Sequence, residues 1–407
     1  MIRAMENLST TCLIAGGGPA GMMCGFLLAR AGVDVTVLEK HKDFLRDFRG
    51  DTVHPSTLEL MKELGFLEEF LKLPHQEVHK LSIRLGDKDF KAADFTGLPT
   101  SCKFVALIPQ WDFLDFLAQK AKAYPNFHLM METEATGLLR DRKRITGVTT
   151  KDGREIRAKL VIAADGRGSV LRDAAGFKVD NLGAPMDVLW FKLDTLAREE
   201  EATFGRVTAD GLIVRFFRGD YWQCALVIRK GRFDDIKAKG LDDFRARVAR
   251  LTDRKKADEI RSWDDVKLLT VAVDRLPCWH KKGLLFIGDA AHAMSPIGGV
   301  GVNLAVQDAV AAANLLYRSL RAGRAPDLAA VQRRRWFPTW ATQKMQTTIQ
   351  NGIIDPVLSA DHTPKPPFLL RLAQHWRLLR RIPARIVGVG FRPEHVKTPA
   401  IAPGDKG

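Results

Sequence analysis

The chain has 407 residues, 46% of them hydrophobic, and a formal net charge of +15. That length and apolar content support two domains or one large one with an ample core. The charge favours anionic partners such as phosphorylated cofactors, acidic small molecules or an anionic membrane surface. Scattered Lys and Arg without a reader motif argue against nucleic acid. Five cysteines (Cys12, Cys24, Cys102, Cys224 and Cys278) show no paired or metal-type spacing. They argue against a disulfide framework and a zinc site, and fit a reducing, cytoplasmic setting. No uninterrupted apolar run approaches the ~18 residues of a spanning helix. The stretch from Cys12 to Ala29 is broken by Gly16-Gly17-Gly18-Pro19, unlike the core of a signal peptide.

The chain opens on a strand, Thr11 to Ala15, followed at once by Gly16-x-Gly18-x-x-Gly21, a helix from about Ala20 to Ala31, and a strand from Val33 to Leu38 that ends in Glu39. Glu39 stands 18 residues beyond the last glycine. A glycine fingerprint between strand and helix, with an acid at that distance, has the context of a dinucleotide site. Gly16 permits the tight turn, Gly18 lets a pyrophosphate approach the backbone, Gly21 lets helix and strand pack, and Glu39 can take the adenosine ribose. Arg49 is a candidate second pyrophosphate clamp. A helix is expected from Ser56 to Glu63, with Ser56 as N-cap and Glu59 completing a capping box.

Val78 to Phe95 is strand-like with a turn at Gly86-Asp87, and Lys103 to Ile108 is another short strand. Pro109-Gln110-Trp111 starts a helix whose stripe of Phe113, Leu114, Phe116, Leu117 and Ala121 belongs to the core. Thr133 to Leu160 alternates and breaks at Asp141-Arg142-Lys143 and Asp152-Gly153, which predicts a three-stranded meander. It feeds a buried strand, Leu160 to Ala164, ending in Asp165-Gly166-Arg167-Gly168-Ser169.

Between 183 and 275 the strand candidates are Met186 to Leu193, Gly211 to Arg218, Tyr221 to Arg229 and Val266 to Val273, with one helix near Leu241 to Leu251. A two-residue turn at Gly219-Asp220 sets Phe217 opposite Trp222, Arg215 opposite Cys224 and Ile213 opposite Leu226. These six share one face. An apolar face holding one arginine suits an aromatic or acidic small molecule, and equally suits ordinary core with a snorkelling or ion-paired arginine.

The stretch that organises the chain is Leu284 to Ile287, a buried strand ending at Gly288-Asp289-Ala290-Ala291-His292. A glycine-rich loop, Ser295 to Asn303, follows, and then a helix from Val302 to Leu320. Helix-start amides suit an anionic or strongly accepting ligand edge. Three strand ends (Gly16, Asp165 and Asp289) could therefore surround one dinucleotide. Helical sequence continues to about Gln350. Past Pro364, Pro366 and Pro367, residues 368 to 385 set Phe368, Leu369, Leu372, Trp376, Leu379 and Ile382 among Arg371, Arg377, Arg380, Arg381 and Arg385. Such a segment suits either weak contact with an anionic membrane surface or packing on the protein's own body.

These motifs together resemble the single-component FAD-dependent monooxygenases of the p-hydroxybenzoate hydroxylase class (group A), whose order they keep from residue 11 to about 320. The fold that the resemblance implies is α/β: a Rossmann-like FAD-binding domain (8–77, 108–182 and 276–350), an interleaved β-sheet substrate domain (78–107 and 183–275) and C-terminal helices in a tail (351–407). FAD contacts are implied at Gly16, Gly18, Pro19, Ala20, Gly21, Glu39, Lys40, Arg49, Gln110, Asp165 and Asp289, with Pro296, Gly299, Gly301, Val302 and Asn303 along the isoalloxazine ring. Arg172 is implied to meet the nicotinamide cosubstrate, and His292 to be structural. The implied chemistry is reduction of FAD by NADPH or NADH and reaction with O2 to a flavin C4a-hydroperoxide, which passes one oxygen atom to an aromatic or similar electron-rich small molecule. Amides at Val302 and Asn303 would stabilise the anionic reduced flavin. Candidate catalytic residues are Pro296, Arg215, Tyr221 and His54, the last two as bases for a phenolic substrate. A halogenase lacks its Trp-x-Trp-x-Ile-Pro signature here. The alternative is a flavin-dependent reductase or dehydrogenase acting on a prenyl or quinone-like substrate. No metal is expected, and the chain would act as a monomer or homodimer.

Overall fold

The strand Leu8–Ala15 lies between two parallel neighbours, Val35–Leu38 on one side and Glu155–Ala163 on the other. In the computed structural model, which describes residues 8–45, 52–195, 205–359, 371–372, 374 and 376–401, Leu284–Phe286 adds outside Glu155–Ala163, again parallel. Cys12 to Ala15, Leu160 to Ala163 and Leu284 to Phe286 are all buried. Continuous apolar runs of this kind belong to a parallel sheet covered on both faces. The meander strands Ala135–Asp141 and Arg144–Thr150 pair antiparallel beside it. The expected third meander strand and the following buried strand are one element, Glu155–Ala163, because the alternating half is half-covered and the apolar half fully covered.

The helix Pro19–Arg30 packs on this sheet through Gly21 and Gly25, where a Cβ would stand 1.9 Å from the Gly16 carbonyl oxygen and 2.7 Å from Val37 Cγ2. Beside it runs the helix Val300–Arg321. Ile297–Arg321 is the one helical stretch among the described residues with the length and hydropathy of a membrane span, and 72% of its apolar window is buried inside the protein. The helix expected from Ser56 spans Pro55–Glu63, with His54 as N-cap and no side-chain cap. Proline pre-sets the first helical position and needs no amide partner, so Ser56 falls inside the helix and the capping box does not form.

A seven-stranded sheet carries the other half, in the order Lys267–Leu269, Met186–Asp194, Tyr221–Arg229, Gly211–Phe217, Gly205–Thr208, Lys80–Leu85 and Lys88–Asp94. The Gly219-Asp220 hairpin has the expected register. The strand Gly205–Thr208, unseen in the sequence, pairs parallel with Lys80–Leu85 and joins the two segments. The face holding Ile213, Trp222, Cys224 and Leu226 is covered by the helix Leu241–Thr252 through Phe244, Val248 and Leu251. Arg215 lies on that covered face, its guanidinium 4.9 Å from the Trp222 ring centroid. The register was legible but the face was not: the more apolar face is core, and Val214 and Phe216 look into the cavity instead.

The helix Leu328–Ile349 continues through a wider turn, Gln350–Ile354, into Asp355–Ser359. In the basic tail, Phe368 and Leu369 fall outside the described residues, but the helix Arg377–Gly388 packs on the body, with Ala384 buried among Phe95 and Leu98. Residues beyond it strap the helices on the parallel sheet: Asn314 donates to the His395 carbonyl (2.8 Å) and the Ile401 amide to the Arg30 carbonyl (3.0 Å).

The strap is tied to the sheet through a charge cluster whose core, Asp308, His292, Arg335 and Glu394, is buried. Asp308 accepts hydrogen bonds from the Gly288 amide (3.1 Å) and Arg335 Nε (2.8 Å), and its carboxylate lies 2.6 Å from His292 Nε2. Arg335 also reaches Glu394 (3.4 Å), which pairs with Arg334 (2.6 Å). Burial opposes the Asp308 charge, but His292 and Arg335 outweigh it and hold the carboxyl below its ordinary range. Removing one member of such a cluster strands a buried charge, at about 3–5 kcal/mol. Asp308→Asn is therefore expected to lower the unfolding free energy by about that amount in urea titrations; a loss under ~1 kcal/mol would show that Arg335 finds another partner.

Candidate functional site

The C-terminal ends of Leu8–Ala15, Glu155–Ala163 and Leu284–Phe286 share one edge of the parallel sheet, where open α/β sheets bind ligands. A cavity of about 2390 Å³ opens there and runs on to the inner face of the seven-stranded sheet. Single-ligand sites are on the order of 300–1,000 Å³, so this one has room for a dinucleotide and a second molecule.

At the first strand end Gly16 has φ +110°, and a Cβ there would lie 2.3 Å from the Ala164 carbonyl oxygen. Only glycine fits between the two strand ends. Gly18 differs: a Cβ would meet nothing within 4 Å. Pro19 opens the helix, whose free amides face the cavity. Glu39 is 6% exposed and accepts from the Gly17 amide (3.1 Å) and the His41 amide (3.0 Å), which fixes the glycine loop against the end of the second strand. Lys40 and Ala20 line the same end. Arg49 lies outside the described residues.

At the second strand end Asp165 accepts from Ser169 Oγ (2.6 Å) and the Leu171 amide (3.2 Å), and burial pushes its carboxyl up. Arg172, implied to meet the nicotinamide, is buried and absent from the cavity wall. Its guanidinium donates to the Ala290 carbonyl (3.2 Å) and the Arg167 carbonyl (2.6 Å). It thus bolts the second strand end to the third. There Asp289 stays part-exposed, 3.1 Å from Arg167 Nε, and both line the cavity.

The loop after Asp289 carries Pro296, Gly299, Gly301 and Val302 along the wall. Gly298 (φ +76°) and Gly299 (φ +63°) turn it into the helix Val300–Arg321. Asn303 does not line the cavity but braces it: Oδ1 accepts from the His54 amide (2.9 Å) and Thr57 Oγ1 (2.7 Å), and Nδ2 donates to the Thr52 carbonyl (3.1 Å). Gln110 lines the cavity at the start of its helix.

His54 and Tyr221 both line the cavity, whereas His292 is spent on Asp308. His54 Nδ1 is 2.7 Å from the Val387 carbonyl of the tail helix. A carbonyl can only accept, so Nδ1 carries the proton and Nε2 keeps its lone pair. Tyr221 stands at the hairpin end of the sheet beneath Lys192 Nζ, 4.6 Å from its ring centroid.

Sequence reasoning missed the far walls. Gln343, Gln346 and Gln350 grip the loop after Asp289: Gln343 donates to the Ala293 carbonyl (3.0 Å), Gln346 to the Ser295 carbonyl (2.8 Å) and Gln350 to Ser295 Oγ (3.0 Å). Their spacing of three and four places them on one helix face, a signal visible in the sequence but without a stated partner. The segment near Ile349 to Val357 and the tail residues Leu379, Ile382 and Val387 close the cavity from the other side.

These residues fit a flavin dinucleotide: open backbone at Gly18, a helix start behind it, and carboxylates at Glu39 and Asp289 placed for ribose and ribityl hydroxyls. Because nothing in the protein crowds Gly18, Gly18→Val is expected to leave thermal stability within ~1 kcal/mol of the parent apoprotein while abolishing FAD retention. Undiminished flavin in the purified variant would displace the pyrophosphate from this loop.

Burial pushes the His54 imidazole down to about 4, against its hydrogen bond to Val387. In the unfolded chain a histidine titrates near ~6.5, so between those values the unfolded state binds the extra proton. Stability from this group is complete above that range and lost as pH falls through it, by about 3 kcal/mol in total. His54→Gln is expected to flatten that part of the stability curve between about pH 6.5 and 4; an unchanged slope in urea titrations would assign it elsewhere.

The family model described as "FAD binding domain" matches residues 9–344. The chain is 30% identical over 389 residues to 6-methylpretetramide 4-monooxygenase of Streptomyces rimosus, covering 93% of each. It is 28% identical over 305 residues to a rifampicin monooxygenase of Streptomyces venezuelae, covering 73% of this chain and 62% of that one. In fold it is similar to OxyS anhydrotetracycline hydroxylase from Streptomyces rimosus, with TM-score 0.73 and 22% identity over 94% of this chain and 76% of that one. The chain thus belongs to the FAD-binding-domain family and is a flavin-dependent aromatic monooxygenase.

Proposed function

We propose that the protein takes electrons from NADPH or NADH and, with O2, hydroxylates an electron-rich aromatic small molecule held against the inner face of the seven-stranded sheet. The observation that carries this is the single cavity joining three glycine-acid strand ends to an apolar sheet face. The relatives' names, which describe oxygenation of organic compounds, support it over a flavin-dependent reductase or dehydrogenase.

When bound, FAD supplies the redox chemistry that activates dioxygen. The chain's own residues hold and shield it. The glycine loop and helix start take the pyrophosphate, Glu39 the ribose and Asp289 the ribityl chain. The amides opening the helix Val300–Arg321 offer positive potential to the pyrimidine edge. Pro296 and Gly299, on the loop that lines the cavity, would hold the flavin, and the tail helix and the segment after Gln350, which also line it, would exclude water. His54 Nε2 accepts a hydrogen bond from a substrate hydroxyl. With its pKa near 4 it polarises and orients that hydroxyl and does not retain the proton at neutral pH. NAD(P)H, O2 and the small substrate complete the partners.

The test is isotopic. With 18O2 and a hydroxylated aromatic substrate, one labelled oxygen should enter the product for each NAD(P)H oxidised. Flavin bleaching by NAD(P)H should be slow in the empty enzyme and accelerate many-fold with that substrate. Turnover of a substrate without oxygen incorporation would instead establish the reductase.

A further inference from the structure

Three helices begin at the cavity: Pro19–Arg30, Pro55–Glu63 and Val300–Arg321. Pro19, His54 and Gly301, at or beside their starts, all line it. Residues 391–401 run across the same three helices well away from those starts. The Thr398 carbonyl accepts from Arg30 Nη1 (2.6 Å), and the Val396 amide donates to Glu63 Oε2 (2.7 Å). Arg30 and Glu63 are the last residues of the first two helices. The Lys397 amide donates to Asn314 Oδ1 (2.8 Å) on the third. No residue of this strap lines the cavity, so whatever it does for the cofactor it does from a distance.

One strap residue has a path back to the cavity edge. Glu394, 5% exposed, lies 3.4 Å from Arg335 Nη1, which also donates to the Arg392 carbonyl (3.1 Å). Arg335 Nε holds one oxygen of Asp308, and the other oxygen takes the Gly288 amide. Gly288 (φ +59°) is tightly seated: a Cβ there would stand 3.1 Å from Ala20 Cβ and 3.3 Å from Ala305 Cβ. The turn is thus wedged between the near ends of two of the three helices, and its next residue is Asp289. Every link in this path involves an ionised group and is shielded from water, where such bonds are strongest.

We propose that Glu394 is a positioning residue for the cofactor. Through Arg335 and Asp308 it holds the turn that presents Asp289, so that docking of the strap and binding of FAD favour one another. Coupling of this kind is reciprocal: if the docked strap tightens FAD by some factor, FAD stabilises the docked strap by the same factor. The proposal rests on Asp289 as part of the cofactor site.

Its test compares hydrogen exchange in the full-length apoprotein and in the same protein saturated with FAD. The amides of Glu394, Val396, Lys397 and Ile401 each donate to another element, so their exchange reports docking. FAD is expected to slow them about tenfold. The helix Leu241–Thr252, on the covered face of the seven-stranded sheet, should slow by less than about twofold. No slowing of the strap, or equal slowing of both regions, overturns the proposal. In FAD titrations Glu394→Gln should raise the dissociation constant about tenfold in the parent, and less than about twofold in an Asp289→Ala background, because its path ends at that residue. A merely structural Glu394 would weaken FAD equally in both backgrounds or in neither, and either result overturns the proposal. An Asp289→Ala protein that keeps the parent's constant sinks the ribityl assignment instead. The exchange comparison uses the unaltered chain, so it decides the coupling in that case and where a variant fails to fold.

Discussion

One buried carboxylate holds the cofactor edge to the rest of the molecule. Asp308 has no exposed surface, and an unpaired charge in that position would cost several kcal/mol. Its two oxygens are committed to the Gly288 amide, His292 and Arg335. The Gly288 bond fixes the turn that presents Asp289. The Arg335 bond reaches Glu394, whose amide bonds Gln307, so the strap is anchored on the same helix as Asp308. A helix, a turn and the distal strap therefore share one electrostatic account, and the third strand end depends on all of them.

Around that anchor the site is built from backbone more than from side chains. Two helix starts, at Pro19 and Val300, bring partial positive charge to the same cavity from different sides. Arg172, Asn303 and the three glutamines near Gln346 then hold carbonyls and amides of the loops. None of these needs to touch a ligand to matter. They remove the freedom of the loops that do, which is how preorganisation is achieved in a glycine-rich site.

The parallel sheet and the three glycine-acid turns were legible because each combines an apolar run with backbone demands that few residues meet. Gly16 shows this directly, since its positive φ and its 2.3 Å approach to Ala164 admit no side chain. The hairpin register was legible too, from Gly219-Asp220 alone. Which face of that hairpin meets the ligand was not, because apolarity marks burial by a helix and by a substrate alike. Arg215 fell on the wrong side for that reason. Arg172 was misplaced because a basic residue near a cofactor motif can contact either ligand or backbone carbonyls, and only geometry separates them. Gln343, Gln346 and Gln350 stayed hidden because their partners lie about 50 residues away along the chain.

The placement of these partners also fixes a timetable. Leu8–Ala15 cannot find its inner neighbour until Glu155–Ala163 has been made, the third turn waits for Leu284–Phe286, and the clamp on Asp308 waits for Glu394. At a synthesis rate of ~5–20 residues per second, that last contact arrives roughly 20–80 s after the first strand leaves the ribosome. Such distant pairings are slow to close and leave apolar strand edges open in the interval. The nascent chain thus carries the glycine fingerprint well before it can carry a finished pocket.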